Sequence, residues 1–153
     1  MNIISKLIEA HIYRNINGIE FLLLQRSPKQ IYPNIWQMVT GKIKEGEKAY
    51  QTAIREVYEE TSISANNIWV VPHVNQFYDW KEDYVCLVPV FLIESDKDAI
   101  VRLSDEHVNY KWVSYDEAIN LLAWPGQKKS LEIINDYLTK DNNFLQFNKI
   151  ILK

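Results

Sequence analysis

Cysteine is almost missing from this chain: Cys86 stands alone among 153 residues. A single thiol excludes an internal disulfide, and its place in an apolar run makes it a small core residue suited to a reducing compartment. No apolar stretch approaches the roughly 20 residues of a membrane-spanning helix. Lys6 and Glu9 interrupt the N-terminal apolar stretch, so no secretory leader is expected. An excess of basic charge is lacking as well. The formal net charge is −3 with no long Lys/Arg run, which argues against a nucleic acid polymer or an acidic membrane as the main partner. Repeats, low-complexity tracts and Pro/Gly/Ser-rich linkers are absent. What remains is 47% hydrophobic and 24% charged, an ordinary globular composition. One cytoplasmic domain spanning residues 1–153, large enough for a substantial core, is the expectation.

Along the chain, the alternation from Ile4 to Ile16 predicts a strand. Asn17-Gly18 is a hairpin turn signal, returning the chain through a second strand from Ile19 to Gln25. A polar loop from Arg26 to Asn34 precedes a short strand, Ile35 to Thr40. Strands are predicted again over Asn67–Asp79, Asp83–Glu94 and Val108–Val113. Pro89 within the second of these argues for a sheet edge or a bulge. Ser114-Tyr-Asp-Glu117 has the form of a capping box opening a helix to about Ala123. Pro125-Gly126 breaks that helix, and a last one is predicted from about Gln127 to Thr139. The tail from Asp141 onward is ambiguous, with a short closing strand as one reading. Several strands and two or three helices in irregular order make an α+β class.

The most informative segment lies between these strands. From Glu47 to Thr61 neither Pro nor Gly interrupts the chain, and Ala49, Ala53, Val57, Tyr50 and Ile54 recur at helical spacing. With Ala53 at zero and about 100° per residue, Glu60 falls at about −20°, inside the apolar arc. Glu56 borders the arc at about −60°, and Glu59 lies further out at about −120°. An inward carboxylate among two neighbours is costly unless its pKa rises or a cation sits among them. Hard divalent cations choose carboxylate oxygens, and Mg²⁺ commonly combines one or two of them with substrate phosphates. For the set containing Glu60, metal binding is the favoured reading; Glu59 alone reads equally as a solvated surface acid. Glu47 and Arg55 stand too far apart for an i, i+4 pair. Arg55 is nonetheless able to fork onto Glu47 or Glu56 and hold a carboxylate in place.

Together Gly41, Glu47, Arg55, Glu56, Val57, Glu59, Glu60 and Ile63 follow the pattern Gx5Ex7REUxEExGU, in which U is aliphatic. Every position matches except the last glycine, replaced by Ser62. The segment resembles the Nudix box, and the resemblance implies an α/β/α sandwich with a mixed β-sheet. It also implies hydrolysis of a nucleoside diphosphate linked to another group, with Mg²⁺ or Mn²⁺ as cofactor. Carried over by position, Glu56, Glu59 and Glu60 would be metal ligands, and Gly41 would offer its backbone carbonyl. Glu56 is also a candidate base, with Arg55 and Glu47 as an orienting pair. Ser62 stands where a left-handed glycine normally closes the helix, at a cost of roughly 1 kcal/mol or less.

Outside the box, Glu106 precedes a strand in a Glu-His segment. Similar Nudix nucleotide hydrolases carry a glutamate there that completes the metal site or acts as base; otherwise it is a loop acid. Arg26 stands where many Nudix enzymes contact phosphate, which suits a bidentate guanidinium. Lys42 is a second candidate phosphate contact, whereas Lys44 reads as a surface lysine; His107 is able to contact phosphate but reads more readily as a structural or solvated histidine. Phe77 and Tyr78, crowded with Trp80 and Tyr84, either stack on a base or fill a hairpin core. Val39-Thr40-Gly41 before the box resembles the dATP pyrophosphohydrolase branch, which includes dihydroneopterin triphosphate pyrophosphohydrolases. The stretch from Val74 to Tyr84 is short and lacks the basic loop of the pterin enzyme. The leading expectation is a Mg²⁺-dependent nucleoside triphosphate pyrophosphohydrolase with a small nucleotide partner, acting as monomer or homodimer. The alternatives are a dinucleoside polyphosphate or nucleotide-sugar hydrolase, and a sensing domain that binds nucleotide without turnover.

Overall fold

The computed structural model describes residues 1–140 and 145–152. Its centre is a mixed sheet of eight strands: β1 Asn2–Ile4, β2 Leu7–Asn15, β3 Ile19–Arg26, β4 Trp36–Gln37, β5 Val39–Lys42, β6 Asn67–Asp79, β7 Tyr84–Glu94 and β8 His107–Val113. Helix α1 covers Ala49–Thr61, α2 Tyr115–Leu121 and α3 Pro125–Thr139.

Strand alternation sorts the apolar residues into two layers. Ile8, Ala10 and Ile12 of β2, Leu22 and Leu24 of β3, and Phe91 and Ile93 of β7 pack against Ala53 and Val57 of α1. The intervening Tyr13, Phe21, Leu23, Val90 and Leu92 pack with Ala118 of α2, Leu122 just after it, and Leu131 and Ile134 of α3 on the other side. Because helices cover both faces, the central strands are apolar nearly throughout. This is the expected α/β/α sandwich. The same alternation sends Glu9 and His11 to the α3 side of β2.

The Asn17-Gly18 hairpin forms, with Asn17 at φ 53 and Gly18 at φ 143, and β6 spans the predicted residues. Several details refine or differ from the sequence reading, beginning with the strand expected over Ile4 to Ile16, which is divided into β1 and β2. The single strand expected over Ile35 to Thr40 is two: β4 pairs with β3, and after a break β5 pairs with β2, Gly41 standing opposite Ile8. That change of partner carries Gly41 under α1. Pro89 is not at an edge, since β7 has β6 on one side and β1 and β2 on the other. It falls in the gap between the β1 pairing, which ends at Cys86, and the β2 pairing, which starts at Val90. The missing N–H is tolerated there. Opposite it, the register of β6 shifts between Val70 and Val74, so the bulge reading holds. The last helix starts at Pro125, a residue well suited to the first helical position. The tail provides a 3-10 helix at Gln146–Asn148 and an isolated bridge from Lys149 to Trp69 in place of a closing strand. Residues 141–144 of that tail lie outside the described residues.

Candidate active site

Helix α1 begins where Gln51 folds back to accept the Lys48 backbone N–H at 2.9 Å. Its end is fixed by Ser62, left-handed at φ 64, whose N–H donates to the Tyr58 carbonyl at 2.8 Å. Serine therefore takes the conformation that glycine usually supplies. Between these ends Glu56 and Glu60, one turn apart, face a cleft of about 860 Å³. Gly41 lies across from Glu56, and a Cβ there would collide with the Glu56 side chain. Only glycine lets the β5 backbone approach the carboxylate this closely.

Arg55 organises the acids around it. Its Nε and Nη2 donate to the two oxygens of Glu47 at 2.6 and 3.0 Å, and Nη2 also donates to the Lys42 carbonyl at 3.0 Å. Nη1 donates to Glu56 Oε1 at 2.7 Å and to Glu59 Oε2 at 3.2 Å. The fork holds the Glu47 carboxyl down at about 2. Glu59 is 51% exposed, lies outside the cleft lining, and is held by Arg55 in this structure. Glu56 and Glu60 line the cleft itself.

Glu60 is 3% exposed, and its Oε2 is buried without a hydrogen-bond partner. Burial, and then the Glu106 carboxyl beside it, push its carboxyl up to about 10. Burial also raises Glu56, against the pull of Arg55. Glu106 is brought in by a register shift between Gln25 and Arg26, where β3 meets β8 and Arg26 stands opposite His107. The Ser27 N–H donates to the Glu106 carbonyl at 2.9 Å, pinning the turn. Ligand atoms of Glu60, Glu106 and His107 all lie within 4.8 Å of one another. His107 is buried, which holds its imidazole down at about 4 despite Glu106 nearby. An orphaned buried oxygen, converging carboxylates and a backbone that approaches only because of Gly41 fit a hard divalent cation.

Arg26, Lys42, Phe77 and Tyr78 line the same cleft. Arg26 is steadied through Nε, which donates to the Ile31 carbonyl at 2.8 Å. Phe77 and Tyr78 are exposed, so neither fills a hairpin core, and the Tyr78 hydroxyl donates to Asp83 at 2.8 Å.

Sequence reasoning missed two features. Tyr32 and Trp124 meet edge to face, 5.2 Å between centroids, on the cleft. They come from segments far apart in the chain, and no local pattern announces them. Glu9 and His11 form a buried pair at 2.6 Å, with Asn75 donating to the other Glu9 oxygen at 3.0 Å. Their signal was present: a Glu and a His two apart in an apolar strand share one face. Burial opposes charge on Glu9, yet hydrogen bonds from His11, Ser130 and Asn75 hold its carboxyl below the usual value.

The NUDIX domain family model matches residues 10–136. This chain belongs to the Nudix family. Among its Nudix relatives, an asymmetrical bis(5'-nucleosyl)-tetraphosphatase of Caenorhabditis elegans is 36% identical over 113 residues, 72% of this chain and 79% of that protein. A dihydroneopterin triphosphate diphosphatase of Haemophilus influenzae is 34% identical over 130 residues, covering 76% and 77%. The solved structure of a C. elegans Ap4A hydrolase binary complex superposes with a TM-score of 0.72 at 27% identity, covering 88% of this chain and 98% of that one. As a Nudix hydrolase the protein acts on phosphoric anhydrides, and among its described residues no helix is long and apolar enough to cross a membrane.

Proposed function

We propose that this Nudix hydrolase cleaves a polyphosphate bridging two nucleosides, releasing a nucleoside triphosphate and a nucleoside monophosphate. One observation carries the reading. The cleft holds two separate aromatic groups, Tyr32 with Trp124 from the loop after β3 and the start of α3, and Phe77 with Tyr78 from β6. Base stacking on an aromatic ring is sequence-tolerant and contributes about 1–3 kcal/mol per base. A volume of about 860 Å³ lies toward the upper end of the range for ligand clefts. The names of the tetraphosphatase relatives point the same way.

Gly41, Glu56, Glu60 and Glu106 are the groups that would hold divalent metal, with Glu59 available once released from Arg55. When bound, such a cation neutralises phosphate charge and acidifies a neighbouring water. The chain's own residues do the rest. Arg26 and Lys42 bind phosphate oxygens, Arg26 offering the guanidinium edge left free by its Nε contact. Glu56 accepts the proton of the attacking water. Its Oε1 is fixed by Arg55, and burial brings its basicity closer to neutral pH. Glu106 closes the carboxylate set from the β8 side.

The sequence reading ranked nucleoside triphosphate pyrophosphohydrolysis first. It stays as the second reading, supported by the likeness to the dihydroneopterin triphosphate diphosphatase. Product analysis with Mg²⁺ separates the two. A diadenosine tetraphosphate substrate is expected to give ATP and AMP, with a higher kcat/KM than any nucleoside triphosphate. Pyrophosphate release from triphosphates at the higher kcat/KM would reverse the order.

A further inference from the structure

We propose that His107 is itself a ligand of the divalent cation, adding one imidazole nitrogen to an oxygen site and tilting it toward Mn²⁺ over Mg²⁺. The inference deepens the reading of a metal-dependent hydrolase and rests on it. The sequence offers His107 as a phosphate contact or, more readily, a structural or solvated histidine, and the fold buries it at the start of β8. A ring nitrogen of His107 and carboxylate oxygens of Glu60 and Glu106 lie within 4.8 Å of one another. His107 Nδ1 and Glu60 Oε2 are both buried and both lack a hydrogen-bond partner. Leaving a buried polar atom unsatisfied costs about 1–3 kcal/mol. A single cation held between the His107 ring and the two carboxylates would relieve both.

The other ring nitrogen, Nε2, lies 3.1 Å from the side-chain amide nitrogen of the buried Gln37 on β4, a placement that has to be reversed for Nε2–H to donate. The nitrogen and oxygen of an amide exchange places by a simple flip. With the Gln37 oxygen accepting from Nε2–H, the tautomer is fixed and the Nδ1 lone pair is left for the metal. This outer partner on a ligating histidine is what holds its ring in place. Mg²⁺ takes oxygen ligands and keeps much of its water. Mn²⁺ shares the carboxylate preference of Mg²⁺ but, as a transition ion at the weak end of its series, accepts an imidazole nitrogen at a position that Mg²⁺ leaves to water. A site completed by His107 therefore favours Mn²⁺ modestly.

The test is pulsed electron paramagnetic resonance of the full-length protein loaded with one equivalent of Mn²⁺. Directly bound imidazole gives a ¹⁴N modulation, expected in the wild type and lost in His107→Gln. In the variant Mn²⁺ affinity is expected to fall about tenfold or more, with a smaller change for Mg²⁺. Bound Mn²⁺ with no nitrogen modulation in the wild type overturns the inference and leaves the hydrolase reading standing. Failure to bind Mn²⁺ at all overturns both. Nitrogen modulation that persists in His107→Gln assigns it to another histidine and overturns the inference. A wild-type spectrum without modulation overturns the inference even if that variant does not fold, and His107→Asn then replaces it for the assignment.

Discussion

Glu9 and Glu60 line one cleft and are almost equally buried, at 1% and 3% exposure, yet they are opposite kinds of residue. Glu9 has a partner on each oxygen and stays ionised below its ordinary pKa. Glu60 has an orphaned oxygen, a second carboxylate beside it and a strongly raised pKa. Burial alone therefore does not mark a working acid. A buried charge matched by its surroundings is architecture, whereas an unmatched one is held ready for something the chain does not contain.

The strongest test of this contrast pairs two substitutions. Glu60→Gln is expected to lower kcat/KM by about two orders of magnitude or more, since loss of even an outer partner of a metal ligand costs about 10–100-fold. Its metal-free melting temperature should hold or rise. Glu9→Ala should do the reverse, costing about 3–5 kcal/mol of stability because His11 and Asn75 lose their partner. Urea unfolding and steady-state kinetics on both proteins check this, and matching profiles would erase the distinction.

Next comes Arg55→Lys, which keeps the charge but cannot span Glu47, Glu56 and Glu59 at once. A fall of about tenfold or more in kcat with Mg²⁺ is expected. Unchanged turnover would show that Glu56 needs no such support.

Acid–base linkage sharpens the contrast further. The folded pKa of Glu60, about 10, lies above its unfolded value of 4.5, so the folded state holds the extra proton between them. That stability is present below pH 4.5 and is lost as pH rises toward 10. His107 acts in the opposite sense, its folded value of about 4 lying below 6.5, so its contribution grows only up to that pH. Metal-free protein should thus lose stability steadily above about pH 6.5. Saturating Mg²⁺ should offset the loss by binding the ionised carboxylate. Thermal melts across pH 6.5 to 9 with and without Mg²⁺ measure it, and a flat metal-free profile contradicts the raised Glu60 pKa.

The smallest effect belongs to Ser62, a left-handed residue with no Cβ-free advantage. Ser62→Gly should stabilise the protein by about 1 kcal/mol or less without altering kcat. A lower melting temperature would show that the serine side chain contributes something its φ does not reveal.

Local pattern alone determined the hairpin, the extent of β6, the acidic helix and the inward direction of Glu60. Each depends on residues a few positions apart, where periodicity and turn chemistry act directly. It also located Glu106 and Arg26 at strand ends, but not their meeting, which a bulge between β3 and β8 produces. The change of partner from β4 to β5, the aromatic pair Tyr32–Trp124 and the burial of His107 beside Glu60 were decided by tertiary structure alone. All three join segments distant in the chain. Whether a polar atom there finds a partner or is left without one depends on every element packed around it, and no stretch of sequence contains that information.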